Sequence, residues 1–417
     1  MAIKVDKDWR KKEESYGEIV KKYPTISPFI ITQIDVQRRG VEYTRKALDQ
    51  VDKTIHQTGK VGEADIPVSL LLRDGTSICT SIFSEAGVNA PLNQRDRYLV
   101  DVVDDRIVLV DEDQVIDEVF YWEKPRYFDK LTSNGTPMGQ VVDARPQRFH
   151  INMNKYCHFW DTPGHGCKYC GIGASGQKFR GCANELVNFD EVREVMQEII
   201  KEKGRFTGVV LTGGSILSGD ELLDDELEGY IKTLQAVGTA FSTKKFPSQV
   251  NSTAFNERQL IRLYEETGLT SYTTDFEVFD EKLYQWICPG KAHYLPHEEV
   301  KKRLYKAVEI FGKGQVNTGI VSGVEMAEPQ GYQSEQEALK MNFEFAEELA
   351  SHGVGLKHDV WNVVPGSIFF RQSTPSLDYY VHLTKGFYEI MCKYGISTEM
   401  DNYRKCGMHA SINMDRI

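Results

Sequence analysis

Residues 154–176 read NKYCHFWDTPGHGCKYCGIGASG and hold three of the eight cysteines in the chain. These are Cys157, Cys167 and Cys170, spaced C-x9-C-x2-C. Thiols this close together, in a chain without secretory features, favour a metal or iron–sulfur site over disulfides. Four protein ligands fill a tetrahedral metal site or a cubane, whereas three leave one metal corner open. The loop therefore predicts a metal centre that binds a small molecule at its open corner.

Two other interpretations of this loop remain open. With His158 or His165 as a fourth ligand, the three cysteines would form a closed Cys3His zinc site. One disulfide and a spare thiol is the other arrangement, although chains without export features rarely form disulfides.

The composition limits the class of protein. With 41% hydrophobic and 27% charged residues, the chain matches soluble globular proteins, and its 417 residues predict two or three structural units. No apolar run reaches the roughly 18 residues that span a bilayer. The first residues lack the apolar core of a signal peptide, so the sequence predicts a cytoplasmic protein that does not bind membranes. A net charge of −11 argues against binding to nucleic-acid phosphates.

The part of the chain before the cysteine loop predicts helices followed by antiparallel strands. Apolar periodicity predicts an N-terminal helical segment over 1–60, with helices at 7–22 and 40–56. From residue 66 to residue 121 the pattern alternates, and turns at Asp74-Gly75 and Asp104-Asp105 predict two hairpins. We therefore expect a small antiparallel β accessory domain and linker over 61–147.

From residue 148 to residue 396, predicted strands alternate with predicted helices. The strands are expected at 148–154, 207–214, 248–253, 270–279, 316–325 and 355–366. The helices are expected at 187–203, 220–236, 256–267, 296–312, 334–352 and 376–395. This alternation indicates an α/β fold with a parallel sheet and helices outside it. Six units are too few for an eight-stranded barrel, so we predict a partial (β/α)6 TIM-type barrel. Chemistry in such barrels lies at the C-terminal ends of the strands, where the cysteine loop also lies.

Two predicted strand ends carry residues suited to ligands. Gly213 and Gly214 end the second strand and permit close approach of a ligand to the backbone, although such pairs are also typical of tight turns. In the fourth strand, Asp275 and Glu277 stand two residues apart and are expected on one side of the strand. Carboxylates there would accept hydrogen bonds from hydroxyl groups, or would form salt bridges at a strand end.

Taken together, the loop and the strand ends resemble the radical S-adenosylmethionine (SAM) superfamily. Its usual loop is C-x3-C-x2-C with an aromatic residue before the third cysteine, here Tyr169, so only the first spacing departs. Leu211–Ser215 resembles the family's Gly-Gly-Glu strand end, with Ser215 in place of the glutamate. Gly319–Glu325 and Trp361–Ser367 resemble the ends of the fifth and sixth strands in the biotin synthase-like branch. The resemblance covers about 148–370.

This resemblance implies both a reaction and its cofactors. The three cysteines would hold a [4Fe–4S] cluster, and SAM would bind the fourth iron. One electron, from a donor such as flavodoxin or ferredoxin, would cleave SAM to a 5′-deoxyadenosyl radical that acts on a small-molecule substrate. The residues expected to bind SAM stand in the loop and at the strand ends: Tyr169, Gly213, Gly214, Ser215, Asp275, Glu277, Ser322 and Glu325.

The C-terminal tail, 397–417, has no periodicity and holds Cys406. A (β/α)6 barrel is open at its mouth, so we expect the tail to close it and exclude water. Cys406 would donate a hydrogen atom to a product radical, ligate an accessory metal with His409, or be a buried thiol. Two other functions stay open: modification of a peptide or protein recognised by the accessory domain, and a non-catalytic zinc or electron-transfer role.

Overall fold

A computed structural model describes residues 8–61, 64–79, 96–145, 148–182, 185–397 and 407–416. The strands, numbered in chain order, are β1 Val41–Tyr43, β2 Thr58–Val61, β3 Ala64–Pro67, β4 Ser69–Leu72, β5 Ser77–Cys79, β6 Tyr98–Val103, β7 Arg106–Asp111, β8 Gln114–Tyr121, β9 Asp143–Ala144, β10 Arg148–Asn152, β11 Gly208–Thr212, β12 Ser248–Asn251, β13 Ser271–Thr273, β14 Val316–Ser322 and β15 Gly355–Val360. The α-helices are Tyr16–Lys22, Pro28–Arg39, Arg45–Asp49, Met138–Val141, Ile172–Ser175, Phe189–Ile199, Asp224–Gly238, Glu257–Glu266, Glu281–Ile287, Pro289–Tyr294, His297–Phe311, Glu335–Ser351 and Leu377–Lys393. None of the described helices is long and apolar enough to cross a membrane.

The larger sheet confirms the predicted partial barrel. Its strands lie in the order β15-β14-β13-β12-β11-β10-β9, and those from β10 to β15 are all parallel to their neighbours. Strand β9 pairs antiparallel with β10 and forms one edge, while β15 forms the other. All six predicted strands of the barrel are present, and so are the six helices predicted to follow them. Since parallel strands end at one side of a sheet, the loops that follow them meet at a common mouth.

The predicted N-terminal helices are only partly correct. The first is a short 3-10 turn, Trp9–Lys11, followed by the helix Tyr16–Lys22. The helix predicted at 40–56 is wrong, because Val41–Tyr43 is strand β1 and only Arg45–Asp49 is helical. The main helix lies upstream, at Pro28–Arg39. It is buried on nearly every side, so its sequence lacks the one-sided apolar period that marks a surface helix.

The accessory domain is a sheet of order β1-β6-β7-β8-β4-β5, with a separate β2–β3 ribbon. Both predicted hairpins are present, β4–β5 and β6–β7. The end of the first predicted hairpin, residues 80–83, lies outside the described residues. Asp104 and Asp105 have φ of 48° and 59°, the positive angles that both central residues of a type I′ turn require. The sheet is antiparallel except that β1 lies parallel to β6.

The helix Pro28–Arg39 belongs to two apolar cores. Ile30, Ile31 and Ile34 pack in the core of the barrel, and Val36 packs in the core of the accessory sheet. The helix also packs against Leu377–Lys393, the helix that follows β15. It therefore connects the two sheets through side-chain packing.

A buried charge cluster fastens this helix to the accessory sheet. Asp35 is fully buried and contacts both Arg38 and Arg39, and Tyr98 donates a hydrogen bond to it at 2.6 Å. Arg39 also reaches Asp111 at the end of β7, at 2.6 Å. Burial raises the pKa of Asp35, but the two arginines outweigh that effect and lower the pKa to about 2. The carboxylate is therefore ionised and held by cations on both sides.

The described part of the tail, 407–416, packs beside the edge strand β15. Gln37 donates hydrogen bonds to the carbonyls of Gly407 and Met408, at 2.8 and 2.9 Å. Asn413 donates to Gln33 at 2.9 Å. The tail and the helix Pro28–Arg39 therefore hold each other at one side of the barrel. Closure of the mouth by the tail stays a prediction, and Cys406 lies outside the described residues.

Replacing Arg39 by methionine should lower the free energy of unfolding by about 3–5 kcal/mol, the usual cost of breaking a buried ion pair. The substitution keeps an apolar stem of similar length but leaves Asp35 with Arg38 alone. Urea denaturation would measure the loss. Arg10→Met is the matched control, since Arg10 reaches the same Asp111 from a partly exposed position and should cost about 1 kcal/mol. Equal losses in the two variants would contradict the role assigned to burial.

Candidate active site

The cysteine loop begins as a continuation of the sheet. Beyond β10, the amide of Met153 donates to the carbonyl of Thr212 at 2.7 Å, and Gly214 donates to Asn154 at 3.0 Å. The amide of His158 then donates to the carbonyl of Ser215 at 2.8 Å. These bonds carry the pairing of β10 with β11 past the ends of both strands. They fix the start of the loop at the mouth of the barrel.

The glycine pair at the end of β11 is required by this pairing. A Cβ atom on Gly214 would overlap the carbonyl oxygen of Tyr156 and lie 2.7 Å from Cα of Cys157. A Cβ atom on Gly213 would lie 2.9 Å from the amide nitrogen of Asn154. The sequence predicted close approach by a ligand, whereas the structure shows close approach by the loop itself. Contact of these glycines with SAM stays a prediction.

The unusual nine-residue spacing is a folded unit. Cys157 is followed by a 3-10 turn, His158–Asp161, which points Trp160 back into the loop. A Cβ atom on Gly166 or on Gly173 would overlap the indole ring of Trp160, so the ring lies between two glycines. The packed ring closes the insertion and returns the chain to Cys167. The longer spacing therefore does not leave the loop open.

A second segment, at residues 287–290, holds the loop from another side. Lys168 donates its amide to the carbonyl of Ile287, and Gly290 donates to the carbonyl of His165, both at 2.9 Å. Cys288 stands between the helices Glu281–Ile287 and Pro289–Tyr294, and burial together with the neighbouring Cys167 thiol raises the pKa of its thiol. Sequence reasoning missed this segment, because two helices of seven and six residues carry little periodicity.

A third segment, which follows β15, covers the loop. The amide of Phe369 donates to the carbonyl of Lys168 at 3.0 Å. A Cβ atom on Gly171 would meet Val364 at 3.3 Å, and one on Gly366 would meet Ala174 at 2.7 Å. The strand end at Trp361–Ser367, singled out in the sequence, therefore lies against the cysteine loop.

The three cysteine thiols influence one another. Burial, followed by the charge of Cys167, raises the pKa of Cys157 to about 11, and the same two causes raise the pKa of Cys170 further. The hydrogen bond with Cys288 and the positive charge of Lys291 lower the pKa of Cys167, although its burial opposes this. Thiolates that repel one another in a buried site fit a metal centre, because its positive charge offsets their repulsion.

The arrangement does not match a site for one metal ion. Within the described ranges, no group of three or more His, Cys, Asp or Glu side chains could hold a metal ion. The zinc interpretation required a histidine, but His158 contacts Glu185 at 2.7 Å and His165 packs against His293. An iron–sulfur cluster differs from a single ion in that each cysteine binds a separate iron atom.

Glu277 and Tyr169 lie beside Cys167. Strand β13 ends at Thr273 and Glu277 has φ of 69°, so the expectation that Asp275 and Glu277 share one side of a strand is wrong. The Glu277 carboxylate forms a buried ion pair with Lys291, which the sequence did not single out. The neighbouring Tyr169 side chain acts to lower the pKa of both Glu277 and Cys167. Because burial outweighs these partners, the pKa of Glu277 is raised.

Asp275 lies between strands inside the barrel. Its Oδ2 atom accepts a hydrogen bond from Asn251 at 2.7 Å, and its Oδ1 atom lies 3.4 Å from Nζ of Lys357. No described donor makes a hydrogen bond to Oδ1. A Cβ atom on Gly319 of β14 would approach that oxygen to 2.8 Å, so a side chain at position 319 would crowd it. A buried carboxylate oxygen without a donor fits a ligand hydroxyl group.

The side chain of Ser215 is hydrogen-bonded to the residues that follow the neighbouring strand β12. Its hydroxyl group lies 2.6 Å from that of Thr253, which donates to Glu226 at 3.0 Å. Glu226 also accepts from the amides of Ile216 and Thr253, at 2.9 and 2.8 Å. Burial raises the pKa of Glu226 to about 7. A carboxylate therefore supports this strand end from the helix Asp224–Gly238, although none occupies position 215.

Ser322 and Glu325 are not joined to the cysteine loop. Ser322 bonds to Nδ1 of His358 at 2.9 Å, and Nε2 of His358 bonds to Thr384 of the outer helix at 2.8 Å. Glu325 accepts from Asn342 at 2.8 Å and also contacts Tyr379. Both side chains are thus bonded among the surrounding helices. A role for them in binding SAM stays a prediction that no contact in the described residues supports.

Comparison with known proteins identifies the domain. Residues 157–329 match the family model described as Radical SAM superfamily, and the match starts at the first loop cysteine. No curated protein matches the chain. The chain is similar to the crystal structure of methylornithine synthase (PylB), with 14% identity and a TM-score of 0.40 over 62% of this chain and 72% of that one. A radical SAM methyltransferase from Sphaerobacter thermophilus shows 15% identity and a TM-score of 0.39, over 61% and 66% of the two chains.

The half-barrel and the family match define the class of protein. They indicate a radical SAM enzyme whose chemistry takes place at the mouth of a partial barrel. Residues 157–329 are a radical SAM domain, and members of that superfamily bind a [4Fe–4S] cluster and SAM.

Gly214→Ala should displace the cysteine loop, because the new Cβ atom would overlap a backbone oxygen that is fixed by strand pairing. We expect the iron content of the purified protein to fall several-fold while the circular dichroism spectrum of the sheet and helices persists. Gly17→Ala is the matched control, since nothing lies within 4 Å of the Cβ atom it would add. Normal iron content in Gly214→Ala would show that the loop tolerates the shift.

Proposed function

We propose that Cys157, Cys167 and Cys170 hold a [4Fe–4S] cluster that, together with SAM, starts radical chemistry on a small-molecule substrate. The observation that carries this proposal is the position of the cysteines. All three stand on a loop at the mouth of the barrel that is bonded to β11, to residues 287–290 and to residues 361–370. Three thiolates leave one iron of a cubane for SAM.

Cys157, Cys167 and Cys170 would hold the cluster, and its chemistry when bound would be the one-electron reduction of SAM that cleaves a carbon–sulfur bond. An external donor such as flavodoxin or ferredoxin would supply this electron. The protein contributes position and exclusion of water. The segment 361–370 covers the loop from the side of β15, and the buried pair of Glu277 and Lys291 places opposite charges beside Cys167. Because the charges of Glu277 and Lys291 offset each other, both side chains can stay buried beside the proposed cluster.

Asp275 is the residue we assign to a ribose hydroxyl of SAM. Its Oδ1 atom lacks a hydrogen-bond donor among the described residues, whereas the Glu277 carboxylate is paired with Lys291. Asn251 on β12 and Lys357 on β15 contact the Asp275 side chain. We therefore favour Asp275 over Glu277 for this contact.

A small polar substrate suits the interior of the barrel. Lys357 and Asp359 stand two residues apart on β15 and so point to the same side as Asp275. Deeper in the barrel, the side chains of Gln249, Thr273 and Asn317 bond to one another. Fixed charges and amide groups within a barrel bind small polar molecules better than an extended peptide. No described contact favours the alternative of peptide modification.

Changing any one of the three cysteines to alanine should remove most of the iron and all SAM cleavage. An open-site cluster needs each thiolate, because none of its irons has a spare protein ligand. Iron and sulfide analysis of anaerobically purified protein, with detection of methionine release from SAM, would measure both effects. Cys392→Ala is the matched control, because that thiol is exposed on an outer helix.

A full, SAM-cleaving cluster in Cys157→Ala would contradict this ligand assignment. Zinc without sulfide in the wild-type protein would support the non-catalytic alternative instead.

Asp275→Asn should weaken SAM binding by about 1–3 kcal/mol, the usual loss for a hydrogen bond to a charged group. Asparagine keeps the contact with the barrel wall but removes the negative charge. Isothermal titration of the cluster-loaded protein with SAM would measure the change. Asp378→Asn serves as the control and should leave SAM affinity unchanged, because Asp378 stands on the outer helix Leu377–Lys393 and contacts Lys22. Equal affinities in wild-type protein and Asp275→Asn would move the ribose contact elsewhere.

A further inference from the structure

The two segments that form the outer side of the cysteine loop carry a local excess of positive charge. The whole chain holds 50 Lys and Arg against 61 Asp and Glu. Residues 154–182 instead hold four basic side chains and one acidic side chain. Residues 361–376, which begin with the segment that covers the loop, hold one basic side chain and no acidic one. We call these five basic residues the basic patch: Lys155, Lys168, Lys178, Arg180 and Arg371.

Printed contacts bring the members of the basic patch together. The ammonium groups of Lys155 and Lys178 lie 5.3 and 5.1 Å from the centre of one ring, that of Phe179. The carbonyl of Lys168 accepts a hydrogen bond at 3.0 Å from the amide of Phe369, two residues before the arginine of the covering segment. The patch therefore spans both segments without a break in the backbone contacts between them.

Most of the patch is available to a partner. Lys178 and Arg371 are exposed, and Lys155 is half-buried. In the parts of the chain that the structure describes, no carboxylate forms an ion pair with any of these three. Arg180 is also exposed, although it contacts Asp161 at 2.7 Å. Three positive charges at this surface are thus not neutralised by the protein itself.

The patch lies directly outside the proposed cluster ligands. Cys157 and Cys170 are themselves partly exposed. Cys170 is followed by the single turn Ile172–Ser175, whose last two residues are exposed. Ile368, with 59% of its surface exposed, adds an apolar contact on the covering segment. Because electron transfer slows steeply with distance, a donor has to approach a cluster closely, and here little protein stands in between.

We propose that the basic patch is the docking surface of the electron donor, and that this donor is a protein with an acidic surface around its redox centre. The inference rests on the proposed function, which requires one electron from outside. The reduced carrier loses one electron and the cluster gains it, so the step balances. Opposite charges on two surfaces accelerate their encounter and orient it. An acidic carrier is repelled by most of this chain, whose net charge is −11, and attracted at the patch.

Acidic side chains beside the patch limit where such a carrier docks. Glu185 borders the patch, but it is bonded to His158 at 2.7 Å. In the loop after β11, Asp220 and Glu221 are exposed. Like charges across an interface disfavour the wrong orientation. The carrier is therefore directed over the cysteine loop and the covering segment, to one side of the barrel mouth.

Reduction of the full-length, cluster-loaded protein by a purified flavodoxin of net negative charge tests this inference. Anaerobic stopped-flow absorbance would give the second-order rate constant. In the double variant Lys178→Glu/Arg371→Glu we expect a fall of about tenfold or more at low salt, because two attractive charges become repulsive. The rate constant of the wild type should itself fall as salt is added, since ions screen exposed charges.

Two controls separate docking from damage to the site. Arg45→Glu/Lys340→Glu makes the same change in net charge at two exposed positions outside the patch, one in the accessory domain and one on an outer helix. It should keep the wild-type rate constant to within about twofold. Dithionite, a small reductant that needs no docking surface, should reduce the cluster equally well in the wild type and in both double variants.

The outcomes distinguish this inference from the proposed function. Equal flavodoxin rate constants in the wild type and in Lys178→Glu/Arg371→Glu would overturn the docking surface, and so would a wild-type rate constant that does not change with salt. In either case, SAM cleavage driven by dithionite would leave the proposed function standing. If dithionite neither reduces a cluster nor drives SAM cleavage in the wild type, the proposed function fails, and the docking inference fails with it.

Discussion

The site depends on the close approach of two backbones at the ends of β10 and β11. Gly214 passes so near the carbonyl of Tyr156 that no side chain fits between them, and this contact sets the position of Cys157. Backbone pairing beyond the strand ends is rigid, because each bond is one of a continuous ladder. A flexible loop of three cysteines would pay a large entropic cost to gather around a metal. Here the first cysteine is already placed by the sheet.

Charge is arranged around the loop in opposite pairs. Glu277 with Lys291 and Asp275 with Lys357 bring two carboxylates and two ammonium groups into the barrel without adding net charge. Burying an unpaired charge at this depth would cost free energy of folding. A paired charge can exchange its partner for a charged ligand when one binds. Burial raises the pKa of Glu226 to about 7, so this carboxyl group can change its protonation close to neutral pH. The strand end that it supports therefore rests on a group sensitive to its electrostatic surroundings.

Much of the barrel could be predicted from sequence, because alternating strands and amphipathic helices leave strong periodic signals. The sequence also singles out the cysteine loop and Gly213-Gly214, but it does not show that these glycines make room for the loop backbone. The ligand role of the cysteines stays a prediction. Cys288 and Lys291 were missed, since both stand at the junction of two short helices where no pattern marks them. The prediction placed Asp275 and Glu277 on one side of an extended strand. The strand ends before them, and the positive φ at Glu277 breaks the alternation of side chains that the prediction assumed. The helix Pro28–Arg39 was missed because it is buried all round and carries buried polar and charged residues among its apolar ones, so its sequence shows no one-sided apolar pattern.

That helix has a consequence for how the two sheets behave as units. Its isoleucines complete the barrel core, while Val36 and the Arg39 charge cluster complete the accessory core. A protein cut at residue 147 would therefore lose a wall of the barrel along with the accessory sheet. By the same reasoning, a force or a ligand that shifts the accessory sheet is transmitted to β15 and to the tail through one stiff element. The two sheets are separate in their strand pairing, but the shared helix couples the motion of one to the other.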